Sequence, residues 1–151
     1  MKETDRKISN LGNRFGELAE HLVAPGIMDK FNELGYCFTE QSLNKEIREP
    51  GKPNTLAEID VLLENGDIVL AIEVKSKPTH DDVVEHIKRM EVLRQTANRR
   101  NDTRKYQGAI AAAIMSPALR EYVIQNGFYA IEQSGDTVKL TIPEGFSPRE
   151  W

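Results

Sequence analysis

The chain has 151 residues and a formal net charge of −4, a length that suits one domain with its own core. Its single cysteine, Cys37, excludes an intrachain disulfide and points to a reducing, cytoplasmic setting. The three histidines, His21, His80 and His86, lack zinc-type spacing; the longest apolar run, Ala109 to Met115, is too short to span a bilayer, and the charged N-terminus does not read as a signal peptide, so no membrane partner is expected.

The chain opens on an amphipathic helix. Ile8, Leu11, Phe15, Leu18 and Leu22 recur at spacings of three and four, with Arg14, Glu17 and His21 on an adjacent line. Pro25-Gly26 interrupts it, and Ile27, Met28, Phe31 and Leu34 carry a short second helix or kinked extension, stopped by Gly35. Tyr36 to Leu43 reads as the first strand, with Cys37 as a small buried hydrophobe between Tyr36 and Phe38. Glu49-Pro50-Gly51-Lys52-Pro53-Asn54 has the chemistry of a turn or mobile loop, placed to act as a flap beside the strands on its C-terminal side.

Two apolar runs then flank Asn65-Gly66, a strong signal for a two-residue hairpin. With that pair as the loop, Glu64 faces Asp67, Asp60 faces Ala71 and Glu58 faces Glu73. Residues two apart on a strand share a face, so Glu58, Asp60, Glu73 and Lys75 are expected to point the same way. Asp60 and Glu73 become diagonal neighbours, about 7–8 Å apart at the backbone. Ionised groups in a strand that reads as core are costly unless paired or bound to a metal. Two carboxylates this close repel unless a cation lies between them, and a hard divalent ion with oxygen ligands suits them. Lys75 is then placed to orient or deprotonate a water, or to stabilise charge on a phosphoryl oxygen. The alternative is a cross-strand salt bridge on a solvated face.

After Lys75, Pro78-Thr79-His80-Asp81-Asp82 starts a helix, with Asp81 and Asp82 suited to capping rather than catalysis. Val83, Ile87, Met90 and Ala97 form its inward stripe, widened by Val84 and Leu93. Gly108 to Met115 reads as a buried strand. Ser116-Pro117 opens a helix that Asn126-Gly127 closes, and Phe128 to Glu132 and Thr137 to Ile142 form a second hairpin. Residues 1–142 thus make one α/β domain, with helices on both faces of a mixed sheet and an irregular tail over 143–151.

Ile59-Asp60, twelve residues, then Glu73-Val74-Lys75 resembles the signature of the PD-(D/E)XK nuclease superfamily, with isoleucine where the name has proline. Gly12 to Glu20, carrying Gly16-Glu17, is similar to the first helix of its Holliday-junction-resolvase-like branch. With Glu58-Ile59-Asp60 and Glu73-Val74-Lys75 it matches the GE…EID…EVK pattern of small bacterial endonucleases of that group. The resemblance implies a three-layer restriction-endonuclease-like core, αβββαβ, here with a C-terminal helix and hairpin added. It implies a metal-dependent endonuclease acting on nucleic acid, DNA first, with Mg²⁺ or Mn²⁺ held by Asp60, Glu73 and the backbone carbonyl of Val74. Glu17 would reach the metal directly or through water, Lys75 would position the attacking water, and Glu58 is a further ligand or a partner for Lys75. Superfamily members often act as dimers, so a homodimer is the assembly it allows.

The net charge of −4 works against DNA, whose phosphates draw on Lys and Arg. The charge is uneven: Lys88, Arg89, Arg94, Arg99, Arg100, Arg104 and Lys105 concentrate in one segment, near Lys77. These eight are the expected phosphate contacts, and a solvated helix face is the alternative. The competing function is a catalytically silent nucleic-acid-binding or assembly module on the same fold.

Overall fold

In the computed structural model, which describes residues 24–151, helix α1 (Ala24–Glu33) precedes one six-stranded mixed sheet with the strands in sequence order. β1 (Glu40–Arg48), β2 (Thr55–Glu64) and β3 (Ile68–Lys75) form an antiparallel meander. β4 (Lys105–Ala112) and β5 (Tyr129–Ser134) continue parallel to β3, and β6 (Thr137–Thr141) returns antiparallel to β5. Parallel neighbours require crossovers, supplied by α2 (His80–Arg99) and α3 (Pro117–Gln125).

Because β3, β4 and β5 step across the sheet in one direction, crossovers of one hand place both helices on the same face. Val83 and Met90 of α2 and Leu119 and Val123 of α3 share a core with Ala71 and Ile110 on that face. Ile27 and Phe31 of α1 pack on the other, against Leu63, Leu70 and Ile72. The expected mixed α/β sheet covered on both faces is therefore what the chain adopts. β3 is buried from Val69 through Glu73, as its unbroken apolar run requires. β4 admits the Phe128 ring at Gly108, where a Cβ would lie 2.5 Å from the ring.

The helix ends match their chemistry. Thr79 caps α2 in a reciprocal box with Asp82, and Ser116 caps α3 with Pro117 in its first turn. The first strand is displaced from its expected span, beginning at Glu40 rather than Tyr36. Phe31, Tyr36 and Phe38 pack their rings together instead, and Asn32 bonds both the N–H and the carbonyl of Phe38, so this segment satisfies its backbone without pairing. Cys37 is exposed rather than buried: its backbone is left-handed (φ +56°), and its neighbours turn inward while it turns out. The fourth strand likewise begins three residues early, at Lys105. The irregular tail is pinned, with Trp151 and Tyr106 exchanging backbone hydrogen bonds and the indole stacking on Phe128. The expected opening helix, with Arg14, Glu17 and His21, lies outside the described residues.

Candidate active site

The β2–β3 turn is centred one residue later than the Asn65-Gly66 pair implied. The Asn65 side chain accepts from the N–H groups of Asp67 and Ile68, and the Asn65 backbone N–H donates to the Ile68 carbonyl. That local bonding makes Gly66 and Asp67 the central residues. The pairing consequently moves by two: Leu62, not Asp60, faces Ala71, and Val61 faces Ile72. A shift of two preserves side-chain parity, so the shared face expected of Asp60, Glu73 and Lys75 survives the correction; Glu58, between Ala57 and Ile59 of the α2-side core, alternates away from it. Glu58 pairs with Glu46 of β1 and does not face Glu73.

The β2–β3 ladder stops at Val61 and Ile72, and the site begins there. Ile59 and Val61, two apart on β2, join opposite cores, so the strand's alternation breaks at Asp60. Opposite that point, between the pairs Leu43–Val61 and Lys45–Ile59, Asn44 takes a left-handed backbone (φ +52°). The freed Asp60 carboxylate accepts a hydrogen bond from the N–H of Val74 at 2.8 Å, taking the place of a ladder bond. It also meets the carboxyl of Glu73. Glu73 is only 7% exposed. Burial, first, and then the hydrogen bond and charge of Asp60 hold its pKa well above the usual carboxylate range, against the opposing pull of Arg89 and Lys75.

Helix α2 closes this face. Arg89 Nη2 lies 3.2 Å from Glu73 Oε2, and Arg89 Nη1 lies 2.7 Å from Nδ1 of His86, a fully buried side chain. His86 Nε2 lies 3.0 Å from the Ala71 carbonyl. A carbonyl only accepts and a guanidinium only donates, which fixes the imidazole as neutral, with its proton on Nε2. Desolvation, then the Arg89 charge, push its pKa down to about 3. Lys75, with its side chain 46% exposed, reaches Asp82 at 3.9 Å in the first turn of α2. Next to this cluster, a cavity of about 250 Å³ is lined by Leu56, Glu58, Glu85, Lys88, Arg89 and Val92. Asp60, Glu73 and Lys75 therefore converge on the α2 side, and Glu58 lies at the edge of the adjoining cavity. Among the described residues, no set of three or more His, Cys, Asp or Glu side chains is placed to hold a metal ion. Asp60 and Glu73 are the pair they contribute.

No family model, curated protein or solved structure matches the chain.

The basic segment divides. Arg94 bonds the backbone carbonyls of Asp102, Arg104 and Trp151, and Arg104 pairs with Asp102 and Glu64, so both brace the sheet's far end. Arg100 contacts Asp102 and Tyr106, and Lys105 contacts Glu150. Arg89 belongs to the carboxylate cluster. Lys77, Lys88 and Arg99 are exposed near or along α2, with Lys88 beside Glu85 and Arg99 bonded to the Thr96 hydroxyl. Sequence reasoning misses His86 because an inward stripe of apolar residues runs through Ile87. The buried line is Val83, His86, Met90, Leu93 and Ala97. Its strict three-four alternation, extended backward from Ala97, marks His86 as inward.

Proposed function

We propose that the chain is a metal-dependent nuclease hydrolysing phosphodiester bonds, in DNA first, on a restriction-endonuclease-like fold. One observation carries the reading: two acidic side chains, Asp60 and Glu73, meet where β2 parts from β3, with Lys75 two residues further along the same strand face. The βββ–α–β order from β1 to β4 is in keeping with the core that the PD-(D/E)XK resemblance implies, whose first helix, at Gly12 to Glu20, lies outside the described residues.

The donor set fits a hard divalent cation. Burial, and then the neighbouring Asp60 carboxylate, raise the Glu73 pKa, so a cation placed between the two would favour the charged form. Mg²⁺ characteristically takes one or two carboxylates and fills its remaining positions with water and substrate oxygens. Asp60 and Glu73 would hold it, with the Val74 carbonyl and Glu17 as further ligands implied by the resemblance. The ion supplies charge stabilisation at phosphorus and a lowered water pKa. Lys75, tethered loosely by Asp82 and open to solvent, orients the attacking water. Lys77, Lys88 and Arg99 offer the phosphate contacts, and Glu58 borders the approach through the neighbouring cavity. A homodimer remains the assembly that the resemblance allows.

The test is Mg²⁺- or Mn²⁺-dependent nicking of plasmid and branched DNA by wild type, Asp60→Ala and Lys75→Ala. Wild type is expected to cut and both variants to lose at least about a hundredfold in rate, the scale of a positioned acid or base. Equal cleavage by all three would refute the assignment.

The second reading, a silent nucleic-acid-binding or assembly module, is favoured by the Arg89–Glu73 ion pair, which supplies a cation from within the chain. Calorimetry separates the two. Absence of divalent-metal binding, together with DNA affinity unchanged in Asp60→Ala, would select the module.

A further inference from the structure

Arg89 occupies an unusual position for a helix arginine. It rises from α2 towards the sheet, 17% exposed at its side chain, and places one guanidinium nitrogen on Glu73. The other nitrogen is held by a histidine that has no solvent contact. That histidine is itself anchored to the Ala71 carbonyl, on the same strand as Glu73 and two residues before it. The guanidinium is thus gripped from behind by a neutral imidazole and presented to the acidic pair from the front. A simple surface ion pair would not need the buried anchor. His86 excludes water from the back of Arg89, strengthening its attraction to Glu73.

Resting on the metal-dependent reading above, we propose that Arg89 is the resident counter-ion of the Asp60–Glu73 pair, one that an incoming divalent cation must displace from Glu73. The acidic pair is then never without positive charge. Without metal, Arg89 holds the Glu73 carboxyl and keeps the β2–β3 fork closed against α2. With metal, the guanidinium gives up Glu73 and turns into the adjoining cavity, whose wall it already forms together with the Glu85 carboxylate. Arg89 is a positioning residue here, setting the cation affinity of a site that it does not chemically serve. Its removal has two opposite effects: the metal-free fold loses a buried partner, and the site gains affinity for cations.

The experiment measures Mn²⁺ binding by calorimetry and electron paramagnetic resonance, with melting temperature in EDTA and in Mn²⁺, for wild type, Arg89→Met and Arg89→Lys. The expected result for Arg89→Met is Mn²⁺ binding roughly 10–100-fold tighter, the range over which groups just outside a metal's ligand set act. Its melting temperature should fall in EDTA and be restored by Mn²⁺ more than that of wild type. Arg89→Lys keeps the charge but loses the two-sided grip, so it should show a smaller gain, and it keeps the test informative if Arg89→Met does not fold. Mn²⁺ binding of equal strength in wild type and the folded variants would overturn the displacement proposal while leaving the metal site standing. No Mn²⁺ binding to any of them would overturn both.

Discussion

The buried carboxyl of Glu73 makes stability depend on pH in a direction opposite to that of an ordinary acidic residue. Most native carboxylates are stabilised in their charged form and lose stability in acid. Glu73 has its folded pKa raised above the value of about 4.5 that it takes when exposed. Between those two values the folded chain holds a proton that the unfolded chain has released, so its contribution is complete below pH 4.5 and is lost as pH rises towards the folded pKa. The slope is at most about 1.4 kcal/mol per pH unit. From pH 6 to pH 8 that is at most about 3 kcal/mol, or roughly 5–10 °C in melting temperature for a domain of this size. Glu73→Gln removes the titration while its amide still donates to Asp60. Thermal denaturation in EDTA from pH 5 to 9 should show wild type losing stability relative to Glu73→Gln as pH rises. Comparing the two cancels the titrations they share, His86 among them. Mg²⁺, by replacing the retained proton, should flatten the wild-type profile. Parallel profiles for the two proteins in EDTA would refute the claim that Asp60 and burial together suppress the Glu73 charge.

His86 sets the acid limb. Its folded pKa near 3 lies below the ordinary 6.5, so the unfolded chain takes up a proton that the folded one refuses, and stability should fall by up to about 1.4 kcal/mol per unit as pH drops below 6.5. His86→Leu should flatten that limb in denaturant titrations while costing about 1–3 kcal/mol at pH 7.5, because the Ala71 carbonyl and Arg89 each lose a buried partner. Gly108→Ala should destabilise by about 1–3 kcal/mol in urea melts, since its methyl group would press into the Phe128 ring and approach Met90 Sδ at 3.3 Å. Unchanged stability there would mean that β4 and α2 separate more easily than their packing indicates.

The strand half of the site is legible in the sequence because its residues violate the pattern around them. Asp60, Glu73 and Lys75 stand out in apolar runs, and alternation puts them on one face even though the turn is displaced by a residue. The helix half is not legible in the same way. In Glu85-His86-Ile87-Lys88-Arg89, a search for apolar residues chooses Ile87, which is half-buried, over His86, which is wholly buried. Arg89 follows at the three-residue spacing of a surface charge line, and only the sheet beneath it reveals which group it serves. The position of β1 is obscured for a related reason. Its residues, Glu-Gln-Ser-Leu-Asn-Lys-Glu-Ile-Arg, are mostly exposed at the sheet edge, so it is a strand by virtue of its backbone pairing with β2 and leaves little hydrophobic signal.

The position of the site follows from how β2 ends its pairing with β3. A central strand that leaves its neighbour must satisfy the N–H groups it abandons, since an unpaired buried donor is costly. Here the side chain of Asp60 does so, accepting from Val74 beyond the last paired residues. That requirement alone would be met by asparagine or serine, neither of which would bring a second ionisable acid against Glu73. Choosing aspartate adds a charge conflict that the backbone bond does not need, and Arg89 and His86 then have to be built into α2 to contain it. An arrangement that needs a buried histidine and a half-buried arginine to tolerate one carboxylate is a poor solution to strand divergence. It suits the proposed reading, in which the two acids are held together until a cation binds between them.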